Sequence, residues 1–242
     1  MTSTRHLQTQ VLVVGAGPVG LTLALDLAQR GVRVLVAEIR GPAEAPSVKC
    51  NHVSSRSMEF FRRLGVATSI RNSGLPADYP HDVAYRTTVT GVELSRIRIP
   101  SRSERGIDVS GPDTWWPTPE PPHRVNQMYF EPVLFRHVEA TPGVRFLNTT
   151  RVDHFEQNDT NVTCSAVDVT EGSAIQIECD YLVGCDGGRS VVRRLIGARL
   201  SGTEVVSRVQ STFFRAPALL GLLKHRPAWA TFALNAASLV AG

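Results

Sequence analysis

Apolar runs and the breaks between them divide the start of the chain sharply. Val11-Leu12-Val13-Val14 is a continuous apolar and β-branched run that stops at a glycine, so Gln8 to Val14 reads as a strand buried on both faces. From Pro18 to Arg30, apolar residues at Val19, Leu21, Leu23, Leu25 and Leu27 lie among alanines, and the stretch ends at Gly31. This predicts a helix stopped by a residue at ease with positive φ. Val32 to Glu38 is a second buried strand, which completes strand, helix, strand within about thirty residues. A Pro/Gly-rich loop over 41–50 precedes Ser54 to Leu64, whose spacing at Met58, Phe61 and Leu64 predicts a helix ended by Gly65.

From about Asp82 the period changes. Val83-Ala84-Tyr85 and Val92 to Ile99 alternate as a hairpin around Gly91, and 100–123 is a Pro-, Ser- and Gly-rich loop containing Trp115-Trp116. Met128 to Glu139 returns to helix, with Pro132 expected in its first turn. Four strands follow at Val144 to Asn148, Val152 to Gln157, Val162 to Val169 and Ile175 to Cys185, then a short helix at Ser190 to Ile196. The remainder alternates strand-like and helical pieces, and Ser238 to Gly242 reads as an unfinished strand. The fold class expected is α/β, a Rossmann-like βαβ domain with an inserted, incomplete β-sheet domain.

Composition narrows the function classes. The chain has 242 residues, 42% apolar and 20% charged, which suits one large domain or one with a smaller partner. Its net charge of +4 is scattered, without the basic block that marks nucleic-acid or polybasic membrane contact. The amino terminus has no signal-peptide pattern and no run is long enough to span a bilayer, so a cytoplasmic protein is expected. Cys50, Cys164, Cys179 and Cys185 show no metal spacing and read as reduced, mostly buried thiols; no metal is expected.

Gly15-Ala16-Gly17-Pro18-Val19-Gly20 is a G-x-G-x-x-G placed where its chemistry requires, after a strand and opening a helix. Gly15 permits the tight turn, Gly17 lets the backbone approach a pyrophosphate, and Gly20 lets helix and strand lie close, while the helix amino terminus attracts phosphate. Glu38, ending the second strand, is placed to accept from both ribose hydroxyls and would repel a 2′-phosphate, so the site takes FAD or NAD rather than NADP. A second signal is Gly184-Cys185-Asp186-Gly187-Gly188-Arg189-Ser190, a strand delivering an Asp-Gly turn before a helix, which would return Asp186 beside the glycine loop.

These features together resemble the single-component flavoprotein monooxygenases of the aromatic-hydroxylase family, which includes para-hydroxybenzoate hydroxylase and the phenol and polyketide hydroxylases. Three segments carry the resemblance: Gly15 to Gly20 with Glu38, Arg124-Val125-Asn126-Gln127 leading into Phe130-Glu131-Pro132-Val133-Leu134, and Gly184 to Gly187 with Ser190 and Arg193. The resemblance implies an FAD-binding domain over 1–80 and 124–200, with a substrate domain begun over 81–123 and left incomplete over 201–242. It implies FAD as cofactor, NADPH or NADH as co-substrate, and hydroxylation of a small phenolic or polyketide-like substrate with O2. It also implies cofactor contacts from Gly15, Gly17, Pro18, Gly20 and Glu38, from Arg124 and Gln127 beside the ribityl and pyrophosphate, and from Asp186, which in the family also meets the nicotinamide donor. Lys49 falls where the family often has an arginine near the phosphates, and Arg40 is expected to close over the adenosine end.

Plainer readings stand beside these. Gln127 is also readable as a helix-start residue, Lys49 as a solvated loop charge, Cys185 as packing under the turn, His123 as structural, and Trp115-Trp116 as a loop anchor. The family's second flavin segment, a Gly-Asp motif followed by Ala-Ala-His, is missing, so the chain reads as a carboxyl-terminally truncated hydroxylase. A non-catalytic FAD-binding remnant and an NAD-binding Rossmann dehydrogenase remain as alternatives, and no catalytic side chain is assigned. A homodimer stays open.

Overall fold

The computed structural model describes residues 4–42, 44, 46, 48–203 and 205–234. In chain order the elements are β1 (Arg5–Val14), α1 (Pro18–Gln29), β2 (Val34–Ala37), α2 (Ser55–Arg63), α3 (Ala67–Arg71), β3 (Val83–Arg86), β4 (Glu93–Ile97), α4 (Gln127–Glu139), β5 (Val144–Leu147), β6 (Thr150–Gln157), β7 (Val162–Asp168), β8 (Ala174–Gly184), α5 (Val191–Leu195), α6 (Pro217–Leu222) and β9 (Ala230–Ala233). They fall into two compact units, the first from Met1–Lys49, Arg63–Ile70 and Gln127–Arg208, the second from Cys50–Arg62, Arg71–Asn126 and Val209–Gly242. The segments 50–62 and 71–80 therefore belong with the hairpin unit.

The first unit is built on a six-stranded sheet in the order β5-β2-β1-β8-β7-β6. β5, β2, β1 and β8 run parallel, while β7 and β6 are antiparallel additions at one edge. The continuous apolar run of β1 has its cause here: Val11 to Val14 pair with β2 on one side and β8 on the other, and Leu12 and Val13 are fully buried. β1 starts at Arg5, earlier than the apolar run suggests, because its first half pairs with β8 alone and keeps exposed residues. On one face lies a core in which Leu12, Leu35, Val152, Cys164, Ile177 and Val192 meet.

Pro132 lies inside α4 and not in its first turn, since the helix begins at Gln127. It withholds the N–H that the Met128 carbonyl would take within the helix, a loss confined to the amino-terminal end where the ladder is only starting.

The second unit holds a three-stranded sheet in the order β4-β3-β9. The hairpin pairs Val83 with Ile97 and shifts register after Tyr85, and β9 adds in parallel to β3, with Phe232 stacked on Tyr85 at 5.4 Å. Buried Asp82 ties the hairpin to the following loop by accepting from the Ile99 amide (3.1 Å) and Arg96 Nη1 (2.9 Å). The expected strand at Ser238 to Gly242 lies outside the described residues.

Candidate functional site

The two turns singled out in the sequence meet at the carboxyl ends of β1 and β8. Val14 pairs with Gly184, and the Cys185 amide donates to the Val14 carbonyl at 2.7 Å. Gly15 has φ +104°, and a Cβ there would stand 2.6 Å from the Cys185 carbonyl oxygen. A Cβ on Gly20 would stand 1.9 Å from the Gly15 carbonyl oxygen and 3.2 Å from the Cys185 side chain. The protein's own packing thus demands both glycines. Gly17 is different: its φ is −74°, and a Cβ on it would meet nothing within 4 Å. Its missing side chain leaves open space over the start of α1.

That start carries no side-chain cap and no acidic residue in its first turn, so the amino-terminal N–H groups and the positive end of the helix dipole are available to an anion. Pro18 is the first helical residue, where its lack of an N–H loses nothing. A cleft of about 410 Å³ opens here, and Gly15, Gly17, Glu38, Arg40, Lys49, Gln127 and Asp186 all line it. Thr150, Arg151 and Arg189 line it too; the sequence reading did not single them out. Arg189 was within reach, lying between the Asp-Gly turn and α5, whereas Arg151 is brought in only by the β6 pairing. Among the described residues, no group of His, Cys, Asp and Glu could hold a metal ion.

Glu38 is 8% exposed and heavily engaged. Its carboxylate accepts from the Ala16 amide (2.6 Å), the Arg40 amide (3.0 Å) and Arg40 Nε (3.1 Å). Burial opposes its charge, but the hydrogen bonds from Arg40 and Ala16 and the Arg40 charge outweigh that and hold the carboxyl below its usual range. Arg40 also donates to buried Glu131 at 2.8 Å; against the effect of burial, the two carboxylates hold its guanidinium above its ordinary value. Glu131 in turn accepts from Gln127 Nε2 at 2.6 Å. Sequence reasoning missed Glu131, although its spacing to Leu134 and Val138 sets it on the buried stripe of α4.

Asp186 turns its carboxylate to the start of α5, accepting from Ser190 Oγ (2.5 Å) and the Val191 amide (2.6 Å), while Ser190 Oγ accepts from the Arg193 amide (2.9 Å). The aspartate therefore fixes the geometry of its own turn as well as lining the cleft. Cys185 is half-buried with its thiol pushed up by burial, then by the Asp186 charge, which suits packing rather than reactivity.

Arg124 belongs to the second unit. Its guanidinium pairs with Asp113 at 2.8 Å and lies 4.6 Å over the Trp229 ring, while Arg105 shares the same carboxylate at 3.1 Å. His123 is buried and bridges through its backbone to Val53; Trp116 lies under Arg105 at 5.7 Å, while Trp115 is 81% exposed.

The family described as FAD binding domain matches residues 8–240. Similar proteins include an FAD-dependent monooxygenase of Emericella nidulans, 30% identical over 94% of this chain and 36% of its own length. Another is aklavinone 12-hydroxylase DnrF of Streptomyces peucetius subsp. caesius, 32% identical over 85% of this chain and 41% of its own. Among solved structures, the rebeccamycin biosynthetic enzyme RebC with reduced flavin aligns at a TM-score of 0.69 and 36% identity, over 80% of this chain and 35% of that one. The chain spans about two fifths of the length of the curated relatives it matches.

Proposed function

The chain belongs to the FAD binding domain family, and on that premise we propose that it forms the cofactor-binding part of a flavin-dependent monooxygenase that hydroxylates a small phenolic or polyketide-like aromatic substrate. The observation that carries this reading is the contrast within the glycine turn: Gly15 and Gly20 are glycines for the sake of the fold, and Gly17 for the sake of something that approaches the backbone from the cleft. A dinucleotide phosphate fits that space, facing the uncapped start of α1 and the cations Arg40, Lys49 and Arg189.

When bound, FAD supplies the redox chemistry, taking electrons from NADH or NADPH and carrying one oxygen atom of O2 to the ring. The residues of this chain bind and orient it. Gly17 and the first turn of α1 hold the pyrophosphate, Glu38 takes the adenosine ribose, Gln127 and Lys49 face the middle of the cofactor, and Asp186 sets the Asp-Gly turn against it.

The test is a visible absorbance spectrum of the purified chain after excess FAD has been added and the unbound fraction removed. A stoichiometric flavin spectrum supports the reading, and a colourless protein refutes it. Substrate-stimulated oxidation of NADH or NADPH, with a hydroxylated product, separates the monooxygenase from a non-catalytic FAD-binding remnant.

A further inference from the structure

The bonding of Glu38 raises a difficulty for the ribose. A carboxylate offers about four lone-pair positions. All four are taken here, by the Ala16 amide at 2.6 Å, the Arg40 amide at 3.0 Å, Arg40 Nε at 3.1 Å and Arg40 Nη2 at 3.4 Å. The two amides are fixed by the glycine turn and by the end of β2. The two side-chain donors are not so fixed, because Arg40 keeps 24% of its side chain exposed to the cleft. Two ribose hydroxyls can reach Glu38 only where the guanidinium leaves.

Its alternative anchor is already in place. Arg40 Nη1 donates to Glu131 Oε1 at 2.8 Å, and Nη2 reaches the Ala16 carbonyl at 3.3 Å. Glu131 has a side chain only 6% exposed, and its second oxygen is held by Gln127 Nε2 at 2.6 Å. A buried carboxylate with one oxygen pinned by an amide and the other turned to a guanidinium is a fixed anionic point on the wall of α4. We infer that Arg40 is a displaceable stopper on Glu38, and that Glu131 is the positioning residue that receives its guanidinium when the adenosine ribose of a dinucleotide takes its place. The inference rests on the FAD reading above and adds to it how the ribose position is kept closed and how it opens. Without Glu131, a displaced Arg40 would be left in a half-buried cleft with no anionic partner, so the ribose would compete against the full strength of the Glu38 pair.

The test is a double-variant cycle read by FAD titration and by thermal melting of the ligand-free proteins. Glu131→Gln is expected to weaken FAD binding about 10- to 100-fold. In an Arg40→Gln background the same change is expected to alter FAD affinity by no more than about twofold, since there is then no guanidinium to receive. An equal loss in both backgrounds would show that Glu131 only supports the helix, and unchanged affinity in the single variant would show that it receives nothing; either result overturns the inference. If Glu131→Gln does not fold by itself, Glu131→Asp, which keeps the charge but shortens its reach to the guanidinium, carries the test: FAD affinity lowered with Arg40 present and unchanged in the Arg40→Gln background supports the inference, and an equal effect in both backgrounds refutes it. A parent chain that binds no FAD overturns the functional reading and this inference together, whereas a flavin-binding parent with additive variants overturns this inference alone.

Discussion

Alanine at Gly17 is expected to abolish flavin binding and leave the fold intact, while alanine at Gly20 is expected to damage the fold itself. At Gly17 the backbone is extended with φ −74°, and a new Cβ meets nothing within 4 Å, so there is neither strain nor overlap in the ligand-free protein. Alanine is a poorer amino-terminal cap than glycine by about 0.5–1 kcal/mol, and the smaller entropy of the unfolded chain returns about 0.4–1 kcal/mol, so stability changes by less than about 1 kcal/mol. The methyl would occupy the space through which a phosphate reaches the backbone. Hydrogen bonds to a charged group contribute about 1.5–3 kcal/mol each, so losing two weakens FAD binding at least about 100-fold. At Gly20 the added carbon falls 1.9 Å from a backbone carbonyl oxygen that cannot rotate away. The helix must shift off the strand, at about 3 kcal/mol or more, which the helical propensity of alanine (about 1 kcal/mol) does not offset. Melting curves and FAD titrations of both variants check the pair. Parental FAD affinity in Gly17→Ala, or a parental melting temperature in Gly20→Ala, would refute the reasoning.

Asp186→Ala is expected to lower the melting temperature as well as FAD affinity, because its carboxylate caps α5; a cap lost is about 1 kcal/mol, and Asp186→Asn should recover part of it. His81 is buried, and burial, with the charges of Arg124 and Arg105, lowers its pKa from 6.5 to about 4. Its neutral form is the one that fits the fold, so the unfolded chain takes up a proton first and stability falls as pH drops from about 6.5 towards 4, by at most about 3 kcal/mol. Urea denaturation across that range should show a steeper decline for the parent than for His81→Gln. A thiol-alkylating reagent should modify exposed Cys50 first and leave Cys164 and Cys179, whose thiols burial pushes up to about 12 and about 11, unmodified until the protein unfolds; mass spectrometry of the labelled peptides reads the order.

The parts of the fold that a local pattern specifies were legible in the sequence: the βαβ start, the β3–β4 hairpin, and the strand that delivers Asp186 to the glycine turn. What remained hidden depends on distant partners. β9 is a short stretch whose place beside β3 comes from a parallel pairing across more than a hundred residues, and nothing within Ala230 to Ala233 announces it. α3 and α6 are single turns or little more, too short for a period to emerge. At the site, Gly15, Gly17 and Gly20 could be read because each has one geometric reason. Arg40 was assigned to the adenosine end without its two carboxylates, and Glu131 was passed over, because a charge on an apolar stripe is interpretable only once its partner is known.

The pairing of β1 with β8 sets a timetable for the site. Gln8 and Glu178, neighbours across those strands, lie 170 residues apart, and so do the ends that bring Gly15 to Cys185. At about 5–20 residues per second, the first turn waits on the ribosome for roughly ten to thirty seconds before its counterpart is made. Until then β1, whose Leu12 and Val13 are fully buried in the finished sheet, has β2 as its one strand neighbour and an open edge where β8 will pair. A nascent chain in that interval is a substrate for chaperones before it can be one for flavin, and the supply of cofactor can act on its folding only after the Asp-Gly turn has been made.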